Sequence, residues 1–323
     1  MKHGKPFAAL DGFRLLAAVL VVCNHTSPLA SCSPGGDFFL TRVLARLAVP
    51  FFFMVSGYFL EQSDWRSAPR LLKKTAVLYG AAVLLYLPLN AYAGQLTPDL
   101  LRKVVTDGTF YHLWYFPALL VGVPLARALR RLGPRAALAA AGALYLIGLG
   151  GDSYYGLAVQ LPGAERFYGA FFHLFSYTRN GLFFAPLFLL LGAAGPRPAR
   201  RRAGAGALAF LALMTAEAFW LRSLGVQRHD SMYVFLPLAM ACLFSWLLAV
   251  NAGERRQLRS LSALLYLVHP WCIVLIRGGA GVLGWESLLV ENSLGHFAAV
   301  LLSGLALSLL MLTLRSRLRP GRS

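Results

Sequence analysis

The sequence predicts an all-α membrane protein, a polytopic bundle of about ten transmembrane helices with both termini in the cytoplasm. Of its 323 residues, 58% are hydrophobic and only 14% are charged, and the mean hydropathy is +0.60. Soluble domains carry about 25% charged residues. Apolar runs of about 20 residues, the length that crosses a bilayer as a helix, recur along the whole chain.

These apolar runs define the predicted elements in order. They lie at roughly 13–31, 38–60, 72–92, 112–129, 136–149, 171–194, 203–221, 232–250, 261–277 and 297–314. The inner connecting segments are short and Arg-rich, the sizeable outer segments are about 93–111, 150–170 and 278–296, and no internal repeat of solenoid period occurs. We therefore expect residues 1–323 to form a single transmembrane domain without a soluble domain.

The positive charge is divided between alternate loops. The formal net charge is +18, and 21 of the 31 Lys and Arg residues fall in loops that this topology places inside, against 7 outside. This asymmetry follows the positive-inside rule and predicts a multi-pass membrane protein with both termini in the cytoplasm. The richness in Ala, Leu and Arg hints at a bacterial source, so we expect the bacterial cytoplasmic membrane. Because the cations form no single basic surface, we expect the lipid bilayer as a partner and no nucleic acid.

The first span carries ionisable side chains that a membrane helix seldom holds. Arg14 and His25 are eleven residues apart, which places them on one helix face about 16 Å apart. Such groups are costly at bilayer depth and usually face a protein interior or an aqueous cavity, so both are candidate functional residues. In the alternatives, His25 bonds a neighbouring carbonyl, Arg14 extends to the cytoplasmic surface, and Asp11 neutralises Arg14.

Polar or small residues in the second and fourth spans are weaker candidates. Arg46 lies in the second span, where Ser56 and Gly57 allow either a ligand or another helix to approach closely. Trp114 stands in the segment YHLWYF, which an aromatic belt at the membrane surface also explains.

Further polar residues lie in the later spans. His173, Arg179 and Asn180 are placed near the outer start of the sixth span, and His269, in LLYLVHP, is a second intramembrane histidine. The histidines and cysteines show neither the i, i+4 nor the CxxC spacing of metal sites, so we expect no metal.

Four segments together resemble the acyltransferase-3 family of ten-helix membrane proteins. They are LDGFRLLAAVLVVCNH, VPFFFMVSGYFL, YHLWYF and LLYLVHP. Four others, YHLWYFPALL, LYLIGLGGDS, TRNG with PLFLLLG, and HDSMYVFLPL, are similar to the membrane domain of the membrane-bound serine/alanine racemases of glycopeptide-resistance clusters.

The first resemblance implies an O-acyltransferase that takes an acyl group, with acetyl as the expected one, from cytoplasmic acyl-CoA. The acceptor would be an extracytoplasmic hydroxyl, such as that of a cell-envelope carbohydrate or another small polar molecule. His25 would be the general base, and Arg14 would hold the donor or balance its charge. Acyl-CoA would be a substrate, with no permanently bound cofactor. The expected donor-binding or substrate-binding residues are Asp11, Arg46, Ser56, Trp114, His173, Arg179, Asn180 and His269.

The second resemblance implies a different activity. Those racemases hold pyridoxal phosphate on a lysine in a soluble domain that follows the membrane part, whereas this sequence ends at RLRPGRS. We therefore expect no pyridoxal phosphate. The alternative function is a transporter for the uptake of a small amino acid such as serine, without chemistry, and a third is a sensor or scaffold for a partner enzyme.

Overall fold

The computed structural model describes residues 8–195, 200–250 and 256–318, and within these ranges every regular element is helical. The main helices are α1 (Ala8–Thr26), α2 (Pro34–Gln62), α3 (Ala68–Tyr92), α4 (Asp99–Thr106), α5 (Tyr115–Arg130), α6 (Pro134–Gly150), α7 (Ala164–Leu174), α8 (Ala185–Ala193), α9 (Arg200–Leu224), α10 (Leu236–Ala249), α11 (Arg256–Leu283) and α12 (Ser293–Leu318). The all-α prediction is confirmed for this part of the chain. The cytoplasmic placement of the two termini concerns residues outside the described ranges.

Among the described helices, six are long and apolar enough to cross a membrane: α1, α2, α3, α9, α11 and α12. Helices α6 and α10 are apolar but shorter. The prediction of a membrane bundle is thus supported, while the number of ten spans stays a prediction.

The sixth predicted span, 171–194, is wrong as a continuous helix. Helix α7 ends at Leu174, α8 begins at Ala185, and the segment between them is irregular. The Asp107 carboxylate accepts hydrogen bonds from the Ser176 N–H at 3.0 Å and from its hydroxyl at 2.8 Å. Asn180 Oδ1 accepts from the backbone N–H groups two and three residues further on. Such side-chain bonds offer the backbone an alternative to the helical pattern.

The chain divides into two compact units, which we call the terminal unit (Met1–Ala48 with Leu247–Ser323) and the central unit (Val49–Trp246). In the terminal unit α1, α11 and α12 pack around a core that includes Ala18, Leu265 and Val300.

Within the terminal unit, α1 and α11 run parallel. Asp11 bonds Arg259 near the starts of the two helices, and His25 stacks on His269 further along both. Helix α12 runs antiparallel to α1, because Ser293 at its start bonds Ser31, just beyond the end of α1, at 2.8 Å between hydroxyl oxygens.

In the central unit α8 packs against α5 and α6 and touches the backbone of α2. A Cβ atom added at Gly57 would lie 1.9 Å from the Leu189 carbonyl oxygen, and one at Gly192 would lie 2.0 Å from that of Met54. Glycine is therefore needed at both positions for the two helices to approach this closely.

Candidate functional site

One cluster of charged residues joins the first turns of α1 and α11. Asp11 is fully buried, and its Oδ1 accepts hydrogen bonds from the Arg14 guanidinium and from Arg259 Nε at 2.7 Å. Two guanidinium groups from different helices thus share one carboxylate oxygen. The Arg14 side chain is only 13% exposed and forms an ion pair with Asp11, and its role stays a prediction.

A pair of stacked histidines lies further along the same two helices. The ring centroids of His25 and His269 are 5.4 Å apart, with 17° between the ring planes. His269 is fully buried, and its Nδ1 lies 2.8 Å from the Tyr266 carbonyl oxygen and 3.2 Å from that of Leu265. A carbonyl oxygen only accepts hydrogen bonds, so Nδ1 carries the hydrogen and, in the neutral ring, Nε2 carries the lone pair.

The local sequence explains why the Tyr266 carbonyl is available to His269. In a helix this oxygen would accept from the N–H of residue 270, but residue 270 is Pro270, inside α11, which has no N–H. The His269 side chain supplies the donor that the proline lacks. The dipeptide His269–Pro270 therefore fixes both the ring orientation and the tautomer.

The stacking also limits how many protons the histidine pair holds. If both rings were protonated, two positive charges would lie 5.4 Å apart, a repulsion of about 3 kcal/mol at an effective dielectric constant of about 20. At least one ring of the pair is therefore favoured in the neutral form, which is the form that accepts a proton.

The ion cluster and the histidine pair occupy two levels of one helix contact. Arg14 and His25 are separated by about 16 Å of helix rise along α1. The core residues Ala18 and Leu265 lie on α1 and α11 between these levels. Each level combines one residue type from both helices, arginines at one and histidines at the other.

The central unit holds a second group of candidate residues, around Arg179. The Arg179 guanidinium lies over the Tyr177 ring, 4.3 Å from its centroid, and over the Trp114 ring at 5.1 Å. It also donates a hydrogen bond to the Ser231 hydroxyl at 3.2 Å. The His229 ring lies 4.5 Å from that of Tyr177. The structure thus brings Arg179 and Trp114 together. We call these two residues, with Tyr177, His229 and Ser231, the Arg179 cluster.

A buried carboxylate holds one side of the Arg179 cluster in place. Asp152 is fully buried, and its Oδ1 accepts from the backbone N–H groups of Ser231 at 2.7 Å and Met232 at 2.9 Å. Its backbone oxygen accepts from the Arg228 N–H at 3.0 Å. The segment that carries Ser231 is therefore fixed by the turn that follows α6.

The remaining candidates occupy separate places. Arg46 is half-buried in a 3-10 turn, Leu44–Leu47, within α2 that packs against α1. The Ser56 hydroxyl donates to the Phe52 carbonyl at 2.9 Å, next to the α2–α8 contact. Asn180 is buried and holds the turn before α8, and His173 is exposed on α7. Their binding roles stay predictions.

Sequence analysis did not identify Arg259 as a candidate site residue and counted it only among the basic residues of the inner loops. A usable signal exists, because Arg259 and His269 are ten residues apart in α11, close to the spacing of Arg14 and His25 in α1. Two parallel helices that each carry an arginine and then a histidine can pair both residues.

The fold and these sites define a class: a helical membrane protein with paired arginines and paired histidines at two depths of one parallel helix contact. Comparison with known families is more specific. The chain belongs to the acyltransferase-3 family, since the model of the acyltransferase domain matches residues 7–313. The resemblance inferred from the four sequence segments is confirmed.

Individual relatives carry a different description. Two amino-acid racemases of Enterococcus faecalis are 40% and 36% identical over 338 and 342 residues, which is 100% of this chain and 47% and 48% of theirs. A serine/alanine racemase of Enterococcus gallinarum is 38% identical over 327 residues, 95% of this chain and 46% of its own. The chain thus spans about half the length of the curated relatives it matches. No solved structure matches significantly.

Proposed function

We propose that the chain is a membrane O-acyltransferase that moves an acyl group, with acetyl as the first candidate, from cytoplasmic acyl-CoA to an extracytoplasmic hydroxyl. A cell-envelope carbohydrate is the acceptor class that fits this reaction. The observation that carries the proposal is the stacked pair of His25 and His269 in a family of acyltransferases, because a neutral imidazole is the group that such a transfer needs as a base.

In the proposed reaction His25 is the general base. The acceptor O–H gives its proton to His25 while the oxygen attacks the thioester carbonyl carbon. The carbon–sulfur bond then breaks, and the departing thiolate takes the proton back from His25 and leaves as CoA. A positioned base of this kind contributes typically 10²- to 10⁴-fold to a rate. His269 stays neutral in this step, so the imidazolium of His25 forms next to an uncharged ring.

The ion cluster is proposed to act on the donor. Arg14 and Arg259 meet at the carboxylate of Asp11, and planar guanidinium groups are suited to bind the phosphates of acyl-CoA. Arg14→Lys keeps the charge and loses the planar fork of the guanidinium. Unchanged donor affinity in that variant would remove bidentate phosphate binding from the proposal.

The test of the histidine pair is transfer of radiolabelled acetyl from acetyl-CoA by the purified protein in liposomes, with crude cell-envelope carbohydrate as acceptor. We expect His25→Ala to lower the rate by about 10²-fold or more, and His269→Ala to lower it less, since His269 positions the base. His296→Gln is the matched control. His296 is also buried in the terminal unit, where its Nδ1 bonds the Leu289 carbonyl at 2.8 Å.

The outcomes separate the roles clearly. Transfer at the wild-type rate by correctly inserted His25→Ala protein would overturn the assignment of the base. An equal loss in His296→Gln would show that any buried histidine is needed for folding, and not the pair for chemistry.

The second candidate function is the uptake of a small amino acid such as serine. The Arg179 cluster favours it, because a guanidinium that lies over aromatic rings beside a hydroxyl is suited to bind a carboxylate. In addition, the relatives are named amino-acid and serine/alanine racemases. Uptake of labelled serine into proteoliposomes that is lost in Arg179→Lys and unchanged in His25→Ala would support transport over transfer.

A further inference from the structure

We propose that the central unit binds the phosphate headgroup of an acidic phospholipid of the cytoplasmic leaflet, in a cavity between the start of α3 and the end of α5. The cavity has a volume of about 310 Å³, roughly ten times the volume of a water molecule in the liquid. Its lining combines apolar side chains with two arginines: Ala68, Pro69, Leu72, Val123, Pro124, Arg127, Ala128 and Arg131.

The two arginines of this cavity carry uncompensated charge. Arg127 and Arg131 form no ion pair in the described part of the chain, whereas Arg130, between them in sequence, bonds Glu61 at 3.0 Å and Asp64 at 2.6 Å. Residues four apart lie on one helix face, where two like charges destabilise each other. An anion in the cavity would relieve this repulsion and gain a charge-assisted bond from each guanidinium.

The surroundings add to the positive potential. The start of α3 brings the positive end of its helix dipole to the cavity. Further exposed cations lie just before α3 or in its first two turns, namely Arg66, Arg70, Lys73 and Lys74. None of them forms an ion pair among the described residues. These segments belong to the loops that the charge distribution predicts to be cytoplasmic.

The outward course of α3 favours a lipid over a soluble anion. Beyond the cavity residue Leu72, α3 presents exposed apolar side chains, with Val77 67% and Leu84 70% exposed. A phosphate at the arginines would thus continue into acyl chains along an apolar helix surface, the arrangement of a lipid whose headgroup lies at the membrane interface. This site is separate from the proposed transfer reaction.

The test is binding of short-chain phosphatidylglycerol to the full-length protein in neutral detergent, measured from the rise of the melting temperature with lipid concentration. Phosphatidylcholine, inorganic phosphate and acetyl-CoA are titrated in parallel. We expect phosphatidylglycerol alone to bind with saturation, and Arg127→Gln with Arg131→Gln to weaken it about thirtyfold. Arg66→Gln with Arg70→Gln, which removes the same charge outside the cavity, should weaken binding less, because these side chains add to the potential without lining the cavity.

Three results would overturn the proposal. Equal binding of phosphatidylcholine would remove the need for an anionic headgroup, and an equal loss in the two double variants would reduce the effect to general surface charge. Saturable binding of inorganic phosphate or acetyl-CoA that depends on Arg127 and Arg131 would make a soluble phosphate the ligand. The single variant Arg131→Gln, with an expected fivefold loss, decides the same questions if the double variant does not fold.

Discussion

Among single residues, Asp11 joins two helices, because its buried carboxylate accepts hydrogen bonds from an arginine of α1 and an arginine of α11. A buried ion pair is weak evidence of net stabilisation, since desolvation offsets much of the attraction, but removal of one partner leaves an uncompensated charge. The ion cluster therefore links α1 to α11 at the level where the proposed donor enters.

Asp11→Asn should be strongly destabilising, because it removes the buried carboxylate that both Arg14 and Arg259 bind. We expect a loss of about 3 to 5 kcal/mol in the free energy of unfolding, measured by denaturant titration in detergent. Asp99→Asn is the matched control: Asp99 pairs with Arg102 at 2.7 Å on the surface of α4, where such pairs contribute little. Equal stability of the two variants would show that the Asp11 cluster is dispensable for folding.

Among the elements, α11 contains a proline that removes one backbone hydrogen bond and thereby fixes the orientation of the neighbouring histidine ring. Pro270 leaves the Tyr266 carbonyl without its helical donor, and His269 Nδ1 takes that place at 2.8 Å. The helix thus gives up one backbone bond, and the imidazole gains a fixed orientation in return.

Pro270→Ala tests whether this exchange serves activity. The variant restores a backbone N–H, so α11 should gain stability, up to about 3 kcal/mol. The restored N–H would compete with His269 Nδ1 for the Tyr266 carbonyl oxygen. We expect a severalfold fall in acetyl transfer together with a higher melting temperature. A stabilised variant with unchanged transfer would mean that the orientation of His269 is not needed for the reaction.

The sequence predicted the helices well where hydrophobicity alone decides them, and less well where distant residues do. The break between α7 and α8 depends on Asp107 binding Ser176, a contact between segments that are far apart in sequence. The same holds for the site: apolar runs place Arg14, His25 and His269 inside helices, but only the packing of α1 on α11 shows that the histidines stack.

For the whole molecule, the terminal unit constrains the topology. Helix α1 ends beside Ser31, and α12 starts beside it through Ser293 and returns antiparallel. The first described turn of α1 and the last of α12 therefore lie at the same end of this unit. This agrees with a chain that crosses the membrane an even number of times, as the ten predicted spans require, while the charge asymmetry predicts that this end is cytoplasmic.

The sidedness can be tested with a natural cysteine. Cys32 is exposed, whereas Cys23 and Cys272 are buried and Cys242 is half-buried within the apolar helix α10. The predicted topology places Cys32 outside, just after α1. A membrane-impermeant maleimide added to intact cells should therefore label Cys32 selectively. Gln62, exposed at the end of α2, is predicted inside, so Gln62→Cys in a Cys32→Ser background should react only after permeabilisation. Labelling of both positions in intact cells would mean that α2 does not cross the bilayer, and the reverse pattern would invert the topology and move the proposed donor entry to the outer face.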